Sequence, residues 1–221
     1  MSARLGARLA AAFAALPLLT AATVAPAQDD FVLAPQLEIV VLPREVLAID
    51  ARSGGQRAER LELGERLLYA KQRGRVGVAI TDRRMLAVAT GSAAWQEARY
   101  RSGESPPADV ALGDRVALLL TSVRAIGFDG NSGNFVESVI GPQESVLDSR
   151  VGQNLAVVVT TRRALGVSAA RGGFFEVKLR VGEQITDASA LANLVTLRTS
   201  KRLLLFRGPS GSWEERRLPI R

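Results

Sequence analysis

The chain has 221 residues, 29 Lys and Arg against 22 Asp and Glu, a formal net charge of +7, no cysteine and no histidine. These two absences exclude disulfides, the Ser-His-Asp and Cys-His nucleophile systems, and the usual zinc sites. The mild basic surplus suits an anionic partner without demanding one, and nucleic acid is not an expected partner.

The chain starts with Arg4 and Arg8, an apolar run Leu9–Leu19, and the small-x-small sequence Ala25-Pro26-Ala27. This reads as a secretory signal peptide over residues 1–27, cut after Ala27. The apolar run is too short to span a bilayer. No later segment has 18 unbroken apolar residues. The expectation is a periplasmic or secreted protein, monomeric and not membrane-spanning. Cleavage leaves 194 residues (221 − 27) and a charge of +5 (7 − 2), one domain over 28–221.

After the leader comes a short strand, Asp30–Ala34, then two more, Gln36–Leu42 and Val46–Ile49. The next unit is clearer. Arg75–Thr81 is a strand, Asp82-Arg83 a turn, Arg84–Ala89 a second strand, Gly91–Ala94 a loop, and Trp95–Arg101 a third strand. Apolar and β-branched runs bounded by Gly, Ser and Asp are strand and hairpin signals. The first strand recurs as Arg115–Thr121, Asn154–Thr160 and Asn193–Thr199. It is apolar at nearly every position, which predicts burial on both faces. Glutamate-led segments, Glu65–Ala70, Glu144–Asp148 and Glu183–Thr186, read as a fourth, outer strand closing the unit that they follow.

The repeat is written in single residues. Thr81, Thr121, Thr160 and Thr199 are spaced 40, 39 and 39. Three residues after each stands Arg84, Arg124, Arg163 or Arg202; fourteen after, Trp95, Phe135, Phe174 or Trp213; sixteen after, Glu97, Glu137, Glu176 or Glu215. Glu65, Glu104, Glu144 and Glu183 keep the same period. Four strands in about 39 residues, repeated, predict an all-β five-bladed β-propeller, with copies starting near residues 36, 75, 115, 154 and 193. Counted this way the last unit lacks its outer strand, and Asp30–Ala34 is available to complete it and close the ring. The alternative is an open stack of hairpins or two small β-domains.

The strand order resembles that of the WD-repeat propellers, although the Trp-Asp pair and its His are missing. The resemblance covers residues 30–221 and implies architecture alone. The Thr-x-x-Arg turn also resembles one in bacterial pleckstrin-homology-like domains, which do not repeat every 39 residues.

Two uses of the repeated arginines compete. They could form a basic rim for phosphates or an anionic surface, or they could pair with the turn glutamates and fix the register of the units; the second is favoured. The aromatic series is expected between adjacent blades rather than as a sugar platform. The candidate ligand-binding residues are the polar positions opening each unit: Gln36, Arg75, Arg115, Asn154 and Asn193. They would ring one mouth of a central channel, and their variation from copy to copy is what a binding site leaves. Asp129 and Asn131 in a neighbouring loop join them. They faintly resemble a calcium loop but lack its run of carboxylates, so no metal or other cofactor is expected. The leading function is a non-enzymatic binding module for a protein or an anionic envelope component. The alternatives are a propeller glycosidase, for which Glu38 and Asp114 are the only inward acids, and a structural subunit of an envelope assembly.

Overall fold

The computed structural model describes residues 36–218. All secondary structure in that range is β, in five antiparallel sheets taken in chain order. The first holds β1 (Leu37–Leu42), β2 (Glu45–Asp50) and β3 (Gln56–Arg60). The second holds β4 (Leu67–Arg73), β5 (Val76–Thr81), β6 (Arg84–Ala89) and β7 (Gln96–Arg99). The third holds β8 (Val110–Leu112), β9 (Val116–Leu120), β10 (Arg124–Asp129) and β11 (Asn134–Val139). The fourth holds β12 (Val146–Val151), β13 (Leu155–Thr160), β14 (Arg163–Ser168) and β15 (Arg171–Lys178). The fifth holds β16 (Ile185–Ala190), β17 (Leu194–Thr199), β18 (Arg202–Arg207) and β19 (Ser212–Arg217). This is a propeller-like repeat architecture built from five tandem antiparallel sheets, four of them four-stranded and the first three-stranded among the described residues.

One expectation is corrected. The glutamate-led strand opens the sheet that follows it and does not close the one before. The reason is connection length. β4 and β5 are joined by Gly74 and Arg75 alone, with Arg73 paired to Val76. Two-residue links make hairpins, and Gly74 supplies the positive φ, 52°, that such a turn uses. Residues 61–66, by contrast, are long enough to cross to the next sheet. The fifth sheet is therefore already four-stranded, and it is the first that shows three strands. The segment Asp30–Ala34, like the signal peptide, lies outside the described residues.

Packing runs from each sheet to the next. Leu37, Val46 and Ala48 of the first sheet meet Leu86, Val88 and Trp95 of the second. Val78, Ile80 and Met85 meet Leu119, Ile126 and Phe128 of the third. Val116 and Leu118 meet Val158 and Leu165 of the fourth, and Leu155 and Val157 meet Leu197, Leu204 and Phe206 of the fifth. Each such Val, Leu, Ile, Met or Phe side chain, taken from water, contributes about 1.5–3 kcal/mol. β5, β6, β10 and β13 are buried at every residue, as their unbroken apolar runs require. In the terminal sheets burial alternates instead, and only one face is fully buried among the described residues.

Candidate functional site at the hairpin end of the sheets

Arg84, Arg124 and Arg202 of the arginine series are buried, and Arg163 is half-buried. Arg84 Nε and Nη2 lie 2.9 and 3.2 Å from the two carboxylate oxygens of Glu65. Arg124 grips Glu104 at 2.8 and 2.9 Å, Arg163 grips Glu144 at 2.9 and 3.1 Å, and Arg202 grips Glu183 at 2.9 Å twice. Nη1 of each arginine reaches the second glutamate series, Glu97, Glu137, Glu176 and Glu215. Nη2 also donates across the junction to a carbonyl on the last strand of the preceding sheet: Arg60, Arg99, Val139 and Lys178. Each glutamate accepts a backbone amide as well, from Glu62, Arg101, Gly141 and Arg180. The threonines close the loop: Thr121, Thr160 and Thr199 donate to the glutamates, and each of the four threonines accepts the amide of its arginine.

Burial alone would raise the Glu144 and Glu183 carboxyls. The arginine, threonine and amide donors outweigh it and hold both at about 2. These are bidentate staples across four successive junctions, three of them desolvated and the one at Arg163 partly exposed, and not a rim offered to a ligand. The aromatics also sit at junctions, as expected. Trp95 Nε1 donates to the Arg57 carbonyl and Trp213 Nε1 to that of Phe175, both at 2.9 Å. Phe135 and Phe174 pack against the clusters that join the second, third and fourth sheets.

The opposite end of the sheets gathers the β4–β5 hairpin turn and its equivalents. The candidate residues all lie there, each held by its backbone. The amides of Gln36, Arg75, Arg115 and Asn154 donate to Gly74, Asp114, Gln153 and Ala192 of the next sheet, at 2.9, 2.7, 2.9 and 3.0 Å. The carbonyls of all five, Asn193 included, accept amides from a loop of their own sheet: Ala51, Thr90, Gly130, Ala169 and Gly208. The hairpin turns pack backbone to backbone. A Cβ on Gly113 would sit 2.2 Å from the Gly152 carbonyl oxygen, and one on Gly152 would sit 2.0 Å from that of Leu191.

This changes the meaning of the variation among copies. The position has a structural task, but the task belongs to the backbone, and any residue with an N–H performs it. The side chains are free to differ. Gln36 and Arg75 share a cleft of about 380 Å³ with Asp50, Arg52, Ser53 and Thr90. Arg75 Nε donates to Thr90 Oγ1 at 2.8 Å. Asn154 Nδ2 donates to Asn193 Oδ1 at 2.8 Å, so these two form a separate pair. Arg115 is half-buried and next to the loop carrying Asp129 and Asn131. Asp50 and Thr90 are cleft residues that sequence reasoning missed; Asp50 stands 79 residues before Asp129 at the same repeat position, a signal that was available.

Asp129 and Asn131 belong to the scaffold of their loop. Asp129 accepts the Asn131 amide at 2.8 Å and the Ser132 hydroxyl at 2.7 Å, so its carboxylate is engaged by its own turn. Asn131 Nδ2 donates to the Ala169 carbonyl of the next sheet. Asp50 does the same work in the first sheet, accepting the Arg52 and Ser53 amides, which draw its carboxyl below the usual range. Glu38 is exposed on β1, while Asp114 is buried two sheets away with Arg73 Nε at 3.3 Å.

No family model and no curated protein matches the chain. Among solved structures it is similar to human WBSCR16, with 11% identity over 84% of this chain and 65% of that one, at a TM-score of 0.40. It is similar to Kluyveromyces lactis Hsv2p at 10% identity over 84% and 61%, TM-score 0.37. It is also similar to the WD40 domain of SCAP from fission yeast at 11% identity over 84% and 57%, TM-score 0.33. The chain thus spans less than two thirds of the length of these proteins. At this distance the likeness assigns it to no family.

Proposed function

We propose that the chain is an exported, non-catalytic binding scaffold whose five sheets close into a ring. Its partner, a protein or an anionic envelope component, meets the hairpin end. One observation carries this reading: at that end five positions are fixed by backbone bonds while their side chains differ from copy to copy. A rigid frame with freely chosen side chains is how repeat scaffolds present a binding surface. The staple end is engaged otherwise, since its repeated arginines and glutamates hold the sheets to each other.

The test is capture of partners from living cells by cross-linking, with Arg75→Glu/Arg115→Glu compared with the parent chain. A stoichiometric partner lost in the variant, at an unchanged melting temperature, is the expected result. Equal capture by both proteins would remove the hairpin end as the binding surface.

A further inference from the structure

Four of the five sheet-to-sheet junctions that a ring requires are seen, and the repeat itself specifies the fifth. We infer that the uncovered face of the first sheet is the seat of the uncovered face of the last sheet of the same chain. This inference rests on the ring reading above and gives the ring its closing contact.

In β2, Val46 and Ala48 face the second sheet and are fully buried, whereas Leu47 and Ile49, on the other face, are only half-buried. In β18, Leu204 and Phe206 face the fourth sheet and are fully buried, whereas Leu203 and Leu205, pointing the other way, are half-buried. Among the described residues, two apolar sheet faces are therefore less covered than those of the three central sheets.

The charges on these faces are complementary. At the first junction Arg84 Nη1 lies 2.8 Å from Glu59 Oε1 on the last strand of the preceding sheet. Strand pairing places Arg84 opposite Arg99 and Arg202 opposite Arg217, so the position of Glu59, next to Arg60, recurs in the last sheet at Arg216. The position of Arg84 recurs in the first sheet at Glu45, opposite Arg60. The fifth junction therefore carries the same pair with its signs exchanged: Glu45 from the first sheet, Arg216 from the last. Among the described residues Glu45 is half-buried with no ion pair, and the one ion pair of Arg216 is with Glu214 of its own strand. Glu38 and Arg198 add a second acid and a second base on the same two faces.

The occupant is the same chain because every junction repeats one set of backbone ties, so each sheet is turned against the next in the same way. A second copy would meet this face head to tail, a contact that grows without closing.

The chain has no cysteine, which makes the test clean. Glu45→Cys/Arg216→Cys is oxidised and examined by non-reducing electrophoresis and light scattering. The expected product is a monomer carrying one internal disulfide. Separately, Glu45→Arg and Arg216→Glu each lower the melting temperature by a few degrees, and the double exchange recovers at least half of the loss. Disulfides joining two chains would overturn the inference in favour of head-to-tail assembly. No disulfide and no recovery in the double variant would overturn it outright. None of these readouts involves a partner, so they are decided independently of the capture experiment.

Discussion

Arg84 commits its guanidinium to Glu65, Glu59, Glu97 and the Arg60 carbonyl, and its side chain is 5% exposed. Arg83, one residue earlier, is 43% exposed and touches Glu62 at 3.4 Å. Arg84→Ala strands a buried carboxylate and is expected to cost about 3–5 kcal/mol. Arg83→Ala is expected to cost at most about 1 kcal/mol. Urea unfolding of the two variants measures the contrast. The staples also set the acid limit. The Glu144 and Glu183 carboxyls are depressed from 4.5 to about 2 in the folded chain, so their contribution is complete above pH 4.5 and is lost as pH falls toward 2. Melting temperature should be level from neutral pH to about 4.5 and fall steeply below it. A flat profile to pH 2 would contradict the staples. This array was legible in the sequence because one residue type recurring at one spacing marks a side-chain task. The hairpin-end positions misled for the converse reason: their shared task is performed by amides and carbonyls, which side-chain identity does not record.

At the scale of the element, the turns decide which strands share a sheet. The strands themselves were legible from their apolar runs. Their grouping was not, because a glutamate-led strand has a strand on either side of it. Only the length of the links, two residues at Gly74-Arg75 against six over 61–66, separates a hairpin from a crossing. The turns also bear load. Gly113→Ala and Gly152→Ala push a methyl group into the carbonyl of the neighbouring turn and are each expected to destabilise by about 1–3 kcal/mol. Gly172 has open space around its Cβ position, and Gly172→Ala is expected to change stability by no more than about 0.5 kcal/mol. Thermal melts of the three variants check this.

For the whole molecule, the count of five and the 39-residue period were legible, and each repeat became one sheet. What the sequence misplaced was the incomplete unit. The fifth sheet has all four strands among the described residues, and the first has three. The strand Asn193–Thr199 was also expected to be buried on both faces, yet in β17 Leu194 and Thr196 are half-buried and Arg198 is exposed. Hydrogen exchange on single amides gives the most direct view of whether the ring is closed. The amides of Arg75, Arg115 and Asn154 each bond to the next sheet at 2.7–3.0 Å. Asn193 stands at the same position in the last sheet, and in a closed ring its amide would find the equivalent acceptor just before Gln36. Protection of the Asn193 amide equal to that of the other three is the result a closed five-sheet ring predicts. Free exchange at Asn193, with the other three protected, would contradict closure.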